Sequence, residues 1–328
     1  MHSAEFFQRL VEDEISKYNT TFPQQPAALY DPIRYMMKLG GKRMRPALTL
    51  LSCEIFSGEY KNAIPASIGI EVFHNFTLLH DDIMDNAPLR RAMPAVHKKW
   101  NADVAILAGD AMFVEACRLI ISTDIESAAS KKVTDLFLKT AMQVCEGQQW
   151  DMTYQSRDHV SIKEYLTMIE LKTSALLACA LKTGAIIAGA STENADLIYE
   201  FGKNIGLAFQ LHDDILDVYG DKSKFGKEMG GDIVANKKTF LLLKAFELAS
   251  DHARKELTLW LHKTSFNDSG KINAVKNIYD SFRVKEHAEE EISLYYKKAM
   301  QNLDDIEFPE AEKESLRVFA QKLMVREM

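Results

Sequence analysis

Residues 63–85 read AIPASIGIEVFHNFTLLHDDIMD. Apolar residues recur in this stretch at intervals of three and four, which is the spacing of one face of an α-helix. The apolar part leads directly into a group of aspartates. We therefore predict a long helix with its apolar face toward a core and with carboxylates at its end.

The distribution of proline extends this prediction to the rest of the chain. Seven of the eight prolines lie at or before Pro94, and the eighth is Pro309. Proline interrupts helix interiors, so a long proline-free region favours long helices. Alternating β-branched runs are scarce, and no Gly/Ser/Pro-rich linker divides the chain. We predict an all-α fold with a single domain over residues 1–328.

Composition excludes several classes of protein. The net charge of −7 argues against a nucleic-acid partner. The amino terminus mixes charges with apolar residues, unlike a signal peptide. Residues 174–190, SALLACALKTGAIIAGA, contain Lys182, and we interpret them as a buried helix pair without stable membrane insertion. The four cysteines form no Cys-x-x-Cys motif, so we expect buried free thiols in the cytoplasm.

An aspartate-rich heptad occurs twice, as LHDDIMD at residues 79–85 and as LHDDILD at residues 211–217. On a helix, its first and last aspartates share a face and the middle one lies alongside. Like charges at this spacing weaken a helix, so a cation is expected to compensate them. Oxygen ligands favour Mg²⁺ or a similar hard cation, and Mg²⁺ also bridges to substrate phosphates. The predicted metal ligands are Asp81, Asp82, Asp85, Asp213, Asp214 and Asp217.

Basic residues lie in the loops beside both heptads. GGKRMRP occupies residues 40–46, and an arginine pair, residues 90 and 91, follows the first heptad. Lysines at 222, 224 and 227, and then NKKT at 236–239, follow the second. Arginine binds phosphate with two parallel hydrogen bonds and lysine binds it as a point charge. These loops therefore indicate a phosphate-containing substrate.

Taken together, these motifs resemble those of trans-isoprenyl diphosphate synthases, the polyprenyl synthetase family. The likeness covers about residues 35 to 240. Besides the two heptads and GGKRMRP, it includes Gly109-Asp110, LKT at 171–173, and FQ before the second heptad, continuing to Gly226-Lys227 and Asn236-Lys237. It implies the isoprenoid synthase fold, a bundle of long helices around a central cavity toward which both heptads face, and a homodimer.

The resemblance also implies the reaction and the residues that serve it. Isopentenyl diphosphate would condense head-to-tail with an allylic diphosphate (dimethylallyl, geranyl or farnesyl), which ionises with the help of Mg²⁺. Asp81, Asp85 and Asp213 would be the main metal ligands. Lys42, Arg45, His74 and Arg91 would bind isopentenyl diphosphate, whereas Arg90, Lys172, Lys227 and Lys237 would bind the allylic diphosphate. Thr173 and Gln210 would lie beside the allylic cation. Arg43 receives no ligand.

The residues before the first heptad bear on product length. In the family, this helix lines the pocket for the growing chain. Phe76 lies five residues before Asp81, about 7.5 Å along the helix, and Phe73 lies one turn deeper. Thr77 at the fourth position is small. We predict that extension stops at farnesyl (C15) or geranylgeranyl (C20) diphosphate, with the latter favoured.

Three other functions fit parts of the pattern. A terpene cyclase shares the fold but does not need the isopentenyl diphosphate residues. A non-catalytic subunit of a heteromeric synthase would be expected to lack some of the aspartates or basic residues. A di-iron protein would need a second Glu-x-x-His motif beside the one formed by Glu71 and His74, and the sequence has none.

Overall fold

The structure is a computed structural model that describes residues 2–220 and 229–324. Its first helices are α1 (Ala4–Asn19), α2 (Ala27–Lys38), α3 (Met44–Ser57), α4 (Ile64–Met84), α5 (Val96–Lys99), α6 (Ala102–Ile121), α7 (Ser127–Ser156) and α8 (Ile162–Ile169). They are followed by α9 (Ala175–Ile187), α10 (Thr192–Tyr219), α11 (Gly231–Val234), α12 (Phe240–Leu248), α13 (Asp251–His262), α14 (Asp268–Ser281), α15 (Val284–Asp305) and α16 (Glu310–Met324). A 3₁₀ turn spans Lys61–Ala63, and a π-helical turn spans Glu170–Ser174. The all-α prediction is confirmed.

Side-chain caps explain where several helices begin. Ser3, Asn101 and Thr239 each accept a hydrogen bond from a backbone N–H in the first turn of α1, α6 and α12. Ser161 and Glu164 form a reciprocal capping box at the start of α8. Such caps satisfy N–H groups that have no partner within the helix, and each contributes about 1 kcal/mol.

The helices divide into two compact units. The first comprises Met1–Ala141, Leu176–Tyr199 and Ile306–Leu316. Its most extensive helix pair is α4 with α6, and α1 and α3 also pack on α4. Within α4, Ile70, Val72 and Phe73 are fully buried. The first heptad occupies the last two turns of α4, with Asp85 as the helix C-cap.

The second unit comprises Met142–Ala175, Glu200–Asp305 and Arg317–Met328. Its core is built from α8, the second half of α10, and helices α12 to α15, around buried residues such as Leu211, Phe240 and Tyr279. The second heptad lies in the last turns of α10.

The structure adds detail to the local expectations and corrects two of them. Within the turn expected at residues 86–94, residues 89–94 form a small antiparallel hairpin of β1 (Leu89–Arg90) and β2 (Met93–Pro94). The predicted helix pair at 174–190 is the single helix α9. Of the cysteines expected to be buried, Cys53 and Cys179 are, whereas Cys117 is half-buried and Cys145 is exposed. Across the described residues, no helix combines the length and hydrophobicity that a membrane span requires.

Candidate active site

The first heptad contains one buried carboxylate and two more accessible ones. Asp82 is 1% exposed, and the Nε of Arg90 donates to both of its carboxylate oxygens, at 3.0 and 3.1 Å. Burial raises the pKa of Asp82, although Arg90 opposes this shift. The side chain of Asp81 is 22% exposed, with an oxygen 3.9 Å from Arg90, and Asp85 is exposed. Asp82 and Arg90 therefore form a pair within the protein, beside two carboxylates that a ligand can reach.

The second heptad shows the same division. Asp214 is buried, and its Oδ2 accepts hydrogen bonds from the hydroxyl of Tyr165 at 2.5 Å and from the backbone N–H of Phe240 at 3.2 Å. Burial, and then the charge of Asp232, raise the pKa of Asp214 to about 8. The outer aspartates are half-buried, and Asp217 accepts a hydrogen bond from the backbone N–H of Asp232 at 3.1 Å.

The middle aspartate of each motif is thus buried and bonded to protein donors, and the outer two are the more accessible carboxylates. In the part of the chain that the structure describes, no three His, Cys, Asp or Glu side chains converge to form a complete metal site. Mg²⁺ commonly takes only one or two carboxylates and completes its shell with water and substrate phosphates. The donor set of each heptad fits that kind of coordination.

Arginines surround His74 in the first unit. The Nη1 of Arg45 lies 3.2 Å from the Nε2 of His74. Arg43 is buried; it donates to Glu12 at 2.7 Å, to Glu71 at 2.6 Å and to the backbone oxygen of Met37 at 2.9 Å. Arg43, left without a role by the sequence, therefore fastens the GGKRMRP loop to α1, α2 and α4.

Burial holds the pKa of His74 well below its usual range, and the charges of Arg45, Arg91, Arg90 and Arg43 lower it further. Burial also lowers the pKa of Arg45 and of Arg91. The Nε of Arg45 is buried without a hydrogen-bond partner among the described residues. A buried donor with no partner is costly, and an anionic ligand would relieve both that cost and the repulsion.

The pKa of His74 makes stability depend on pH. The folded protein keeps His74 neutral, whereas the unfolded chain takes up a proton below about pH 6.5. The free energy of unfolding should therefore fall as pH falls, by at most about 1.4 kcal/mol per pH unit from this group. Between pH 7 and 5.5, we expect the wild type to lose about 1 kcal/mol more than His74→Asn in urea unfolding. Equal losses would contradict a His74 that stays neutral in the folded protein.

The hairpin brings Arg91 to the GGKRMRP loop. Arg91 and Ala92, the two residues between the strands, have φ of 53° and 63°. Two left-handed residues form a type I′ turn, which usually contains Asn-Gly. The guanidinium of Arg91 lies against Gly41, where an added Cβ would come within 2.6 Å of it. Lys42 is exposed, and its backbone oxygen accepts a hydrogen bond from Gln8 at 2.8 Å.

An open cavity of about 450 Å³, including its mouth, lies in the second unit. It brings together five predicted site residues, Lys172, Thr173, Gln210, Asp214 and Lys237. It is also lined by Lys238 of the NKKT motif and by side chains to which the sequence assigned no role, among them Asp151, Tyr165 and Asp232. Within it, Lys172 pairs with Asp151 at 2.5 Å, Lys237 lies 3.5 Å from Asp232, and the hydroxyl of Thr173 donates to Gln210 at 3.3 Å.

The π-helical turn at Glu170–Ser174 presents Lys172 and Thr173 to this cavity. Two glycines make room for its backbone. A Cβ at Gly147 of α7 would overlap the backbone nitrogen of Lys172 and come within 2.7 Å of its Cα. A Cβ at Gly206 of α10 would come within 2.7 Å of Ser174. Single π turns within helices often mark functional sites, and this one depends on both glycines.

The predicted chain-length residues belong to an aromatic cluster in the first unit. The rings of Phe73 and Phe76 lie 5.5 Å apart, and Phe113 of α6 contacts both, at 6.0 and 5.5 Å. Phe137 of α7 packs edge-on against Phe73 at 5.2 Å. Thr77 turns its hydroxyl to the backbone oxygen of His74. Sequence spacing identified the two phenylalanines of α4 but not their partners on other helices.

One predicted site residue, Lys227, lies outside the described residues, as do Lys222 and Lys224. The remaining predicted residues fall into two groups. Lys42, Arg45, His74, Arg91, Arg90 and the first heptad belong to the first unit; Lys172, Thr173, Gln210, Lys237 and the second heptad belong to the second.

Fold and side chains together define an all-α protein whose acidic and basic clusters suit metal ions and diphosphates. The sequence signature described as polyprenyl synthetase matches residues 26–279. A geranylgeranyl diphosphate synthase of Methanosarcina mazei is 43% identical over 223 residues, 68% of this chain and 69% of that protein. A short chain isoprenyl diphosphate synthase of Methanothermobacter thermautotrophicus is 36% identical over 302 residues, 92% and 91% of the two chains.

A solved structure of a geranylgeranyl pyrophosphate synthase superposes with a TM-score of 0.94, at 43% identity and with 100% coverage of both chains. The chain belongs to the polyprenyl synthetase family. The predictions of the family, of the isoprenoid synthase fold and of a prenyl-transferring enzyme are thereby confirmed.

Proposed function

We propose that this enzyme makes geranylgeranyl diphosphate by adding isopentenyl diphosphate stepwise to allylic diphosphates in the cytoplasm. The observation that carries the proposal is the cluster around His74. Several arginines converge on a half-buried histidine whose pKa is held well below its usual range, and one buried guanidinium nitrogen lacks a partner within the described chain. That arrangement suits a dianionic or trianionic group such as a diphosphate.

In this proposal, Arg45, Arg91, Lys42 and His74 bind isopentenyl diphosphate. Arg45 and Arg91 offer forked guanidinium donors, and the exposed Lys42 contributes a point charge. Neutral His74 can donate one hydrogen bond without adding to the repulsion among the arginines. Arg43 and its carboxylate partners hold the loop in place and do not contact the substrate.

Mg²⁺ would be held by Asp81 and Asp85 of the first heptad and by Asp213, with Asp217 nearby, of the second. The metal, when bound, withdraws charge from the allylic diphosphate and so favours departure of the diphosphate group. The two buried aspartates support these metal ligands indirectly. Asp82 binds Arg90, and Asp214 accepts hydrogen bonds from Tyr165 and Phe240.

Lys172, Lys237 and Arg90 would bind the allylic diphosphate, together with Lys227. The carbonyl of Gln210 and the hydroxyl of Thr173 present oxygen dipoles that stabilise positive charge on the allylic carbons. The double bond of isopentenyl diphosphate then attacks, and the departing diphosphate is the proposed acceptor of the proton that is lost. No nucleophilic serine, cysteine or histidine is needed, because binding and electrostatics supply the catalysis.

Product length is proposed to be set by Phe76, backed by Phe73 and Phe113. The half-buried ring of Phe76 packs against Phe73 and Phe113, so it is held in place and would block further growth of the prenyl chain. Small Thr77 leaves space beside that ring. This combination favours the C20 product over the C15 product.

Replacement of Phe76 by alanine should remove this wall and give products longer than C20. The matched control is Phe56→Ala, which removes another half-buried ring, one that packs on Phe308. Its products should match those of the wild type. Chain lengths are measured by chromatography after dephosphorylation, and unchanged products in Phe76→Ala would remove Phe76 as the determinant.

A homodimer is proposed through α6. Leu107, Val114 and Ile121 repeat every seven residues along this helix and are 59%, 66% and 59% exposed. Residues at that spacing form one stripe, and such apolar stripes usually mark an interaction surface. A second copy is the occupant we propose, because the same stripe on both chains satisfies a two-fold interface.

A charge in this stripe should separate the subunits. We expect Val114→Asp to elute as a monomer with light scattering near half the wild-type mass, because burying an unpaired carboxylate is costly. Leu259→Asp, which charges another highly exposed apolar residue on α13, is the control and should stay dimeric. A wild type that is itself monomeric would refute the dimer.

A condensation assay tests the proposed reaction. Radiolabelled isopentenyl diphosphate is incubated with dimethylallyl diphosphate and Mg²⁺, with EDTA as the control. The proposal predicts metal-dependent prenyl diphosphates ending at C20. A non-catalytic subunit would incorporate no label, and a terpene cyclase would release hydrocarbons from added geranylgeranyl diphosphate without using isopentenyl diphosphate.

A further inference from the structure

Helices α13 and α14 carry no residue of the proposed reaction, yet α14 contains a lysine in an unusual position. Lys271 lies in its first turn and is fully buried. A cation at a helix N-terminus opposes the helix dipole, and burial of an ammonium is costly. Burial lowers the pKa of Lys271 accordingly. Packing alone does not explain a buried lysine at this position.

The ammonium of Lys271 contacts the end of α11 and the first residue of the NKKT motif. It donates to the side-chain oxygen of Asn236 at 2.5 Å and to the backbone oxygen of Val234 at 3.3 Å. It also lies 4.4 Å from the centre of the Phe266 ring. Among the described residues, no carboxylate comes within ion-pair distance of it. Its hydrogen bonds go to Val234, the last residue of α11, and to Asn236 in the turn that follows.

Asn236 has a left-handed backbone with φ of 57°, which costs free energy in a residue other than glycine. Its side chain is held on both sides, because its amide also donates to the backbone oxygen of Leu261 at the end of α13. The next two residues, Lys237 and Lys238, line the cavity that contains Lys172 and Gln210. The backbone turn at Asn236 therefore sets the orientation of Lys237 and Lys238.

We propose that Lys271 is a positioning residue for diphosphate binding: its buried ammonium locks the turn at Asn236 and so aims Lys237 and Lys238 into the cavity. The proposal rests on the proposed function, because it assumes that the anion in this cavity is a diphosphate. In this proposal, α13 and α14 hold the turn at Asn236 in place through Leu261 and Lys271.

Lys271→Met keeps the length and most of the volume of the side chain and removes its hydrogen bonds. We expect KM for the allylic diphosphate to rise about tenfold or more, with KM for isopentenyl diphosphate changed less than twofold. If Lys271 had a purely structural role, Lys271→Met would have a lower melting temperature, and its KM values for the two substrates would not change to different extents. Lys255→Met, which changes an exposed lysine on α13, is the control and should behave as wild type.

Asn236→Ala removes the same contact from the loop side, so the test does not depend on the stability of one variant. If Lys271 acts through Asn236, a variant with both Lys271→Met and Asn236→Ala should lose no more affinity for the allylic diphosphate than the weaker-binding single variant. Additive losses would overturn the proposal, as would a folded Lys271→Met with normal KM for the allylic diphosphate.

Hydrogen exchange provides a readout that does not need activity. Amides of residues 235–239 should exchange faster in Lys271→Met than in the wild type, and binding of inorganic pyrophosphate with Mg²⁺ should weaken about tenfold in calorimetry. If the wild type neither condenses substrates nor binds pyrophosphate, the proposed function fails. Unchanged exchange in Lys271→Met would by itself overturn the anchoring of the loop.

Discussion

Replacement of Asp81 by asparagine is expected to lower kcat by about a thousandfold or more. Asp81 is one of the two accessible carboxylates at the end of α4, whereas the buried Asp82 is bonded to Arg90. Loss of a magnesium ligand removes several kcal/mol of transition-state stabilisation, and each 1.4 kcal/mol is a factor of ten.

The fold should tolerate this change, because the side chain of Asp81 is 22% exposed. The melting temperature of Asp81→Asn should stay within a few degrees of wild type, and more Mg²⁺ should be needed for half-maximal activity. Asp135→Asn, at an exposed site on α7, is the matched control. Wild-type kcat and Mg²⁺ dependence in Asp81→Asn would contradict the assignment of the metal to the first heptad.

The second large effect is expected at Gly147. Alanine there would place its Cβ 2.7 Å from the Cα of Lys172 and 2.9 Å from the backbone carbon of Leu171. Real Cβ atoms essentially never approach so closely, so the π-helical turn would have to move. Displacement of Lys172 and Thr173 by even about 1 Å should lower kcat about a hundredfold.

Gly270→Ala is the control for this experiment. Gly270 also lies in a helix, but a Cβ there would meet only Asn267 at 3.9 Å. Alanine should stabilise that helix slightly and leave kcat unchanged. Both variants are assayed well below their melting temperatures, so that unfolding does not account for lost activity. A normal kcat in Gly147→Ala would show that the turn does not position the cavity residues.

The sequence predicted those features that depend on local pattern. Apolar spacing predicted α4, and the absence of proline between Pro94 and Pro309 predicted the long helices that follow. The duplicated heptad indicated two acidic clusters because i and i+4 side chains share a helix face. The resemblance, and not the local pattern, supplied the roles that we propose for Lys172 and Thr173.

Features that depend on contacts between distant residues were not predicted. A π turn has no distinct sequence pattern, so the shape that presents Thr173 was missed. Glycine inside a helix costs about 1 kcal/mol, so Gly147 and Gly206 were signals that could have indicated a close approach. The hairpin was missed because its turn is Arg91-Ala92 and not Asn-Gly.

The most direct test of the account is a crystal structure with Mg²⁺, isopentenyl diphosphate and an unreactive allylic thiodiphosphate. The account predicts one diphosphate on Arg45 and Arg91 beside His74. It also predicts magnesium bound by Asp81 and Asp85 and bridged to the thiodiphosphate. A diphosphate that avoids the arginines around His74, or metal ions that leave both heptads untouched, would contradict it.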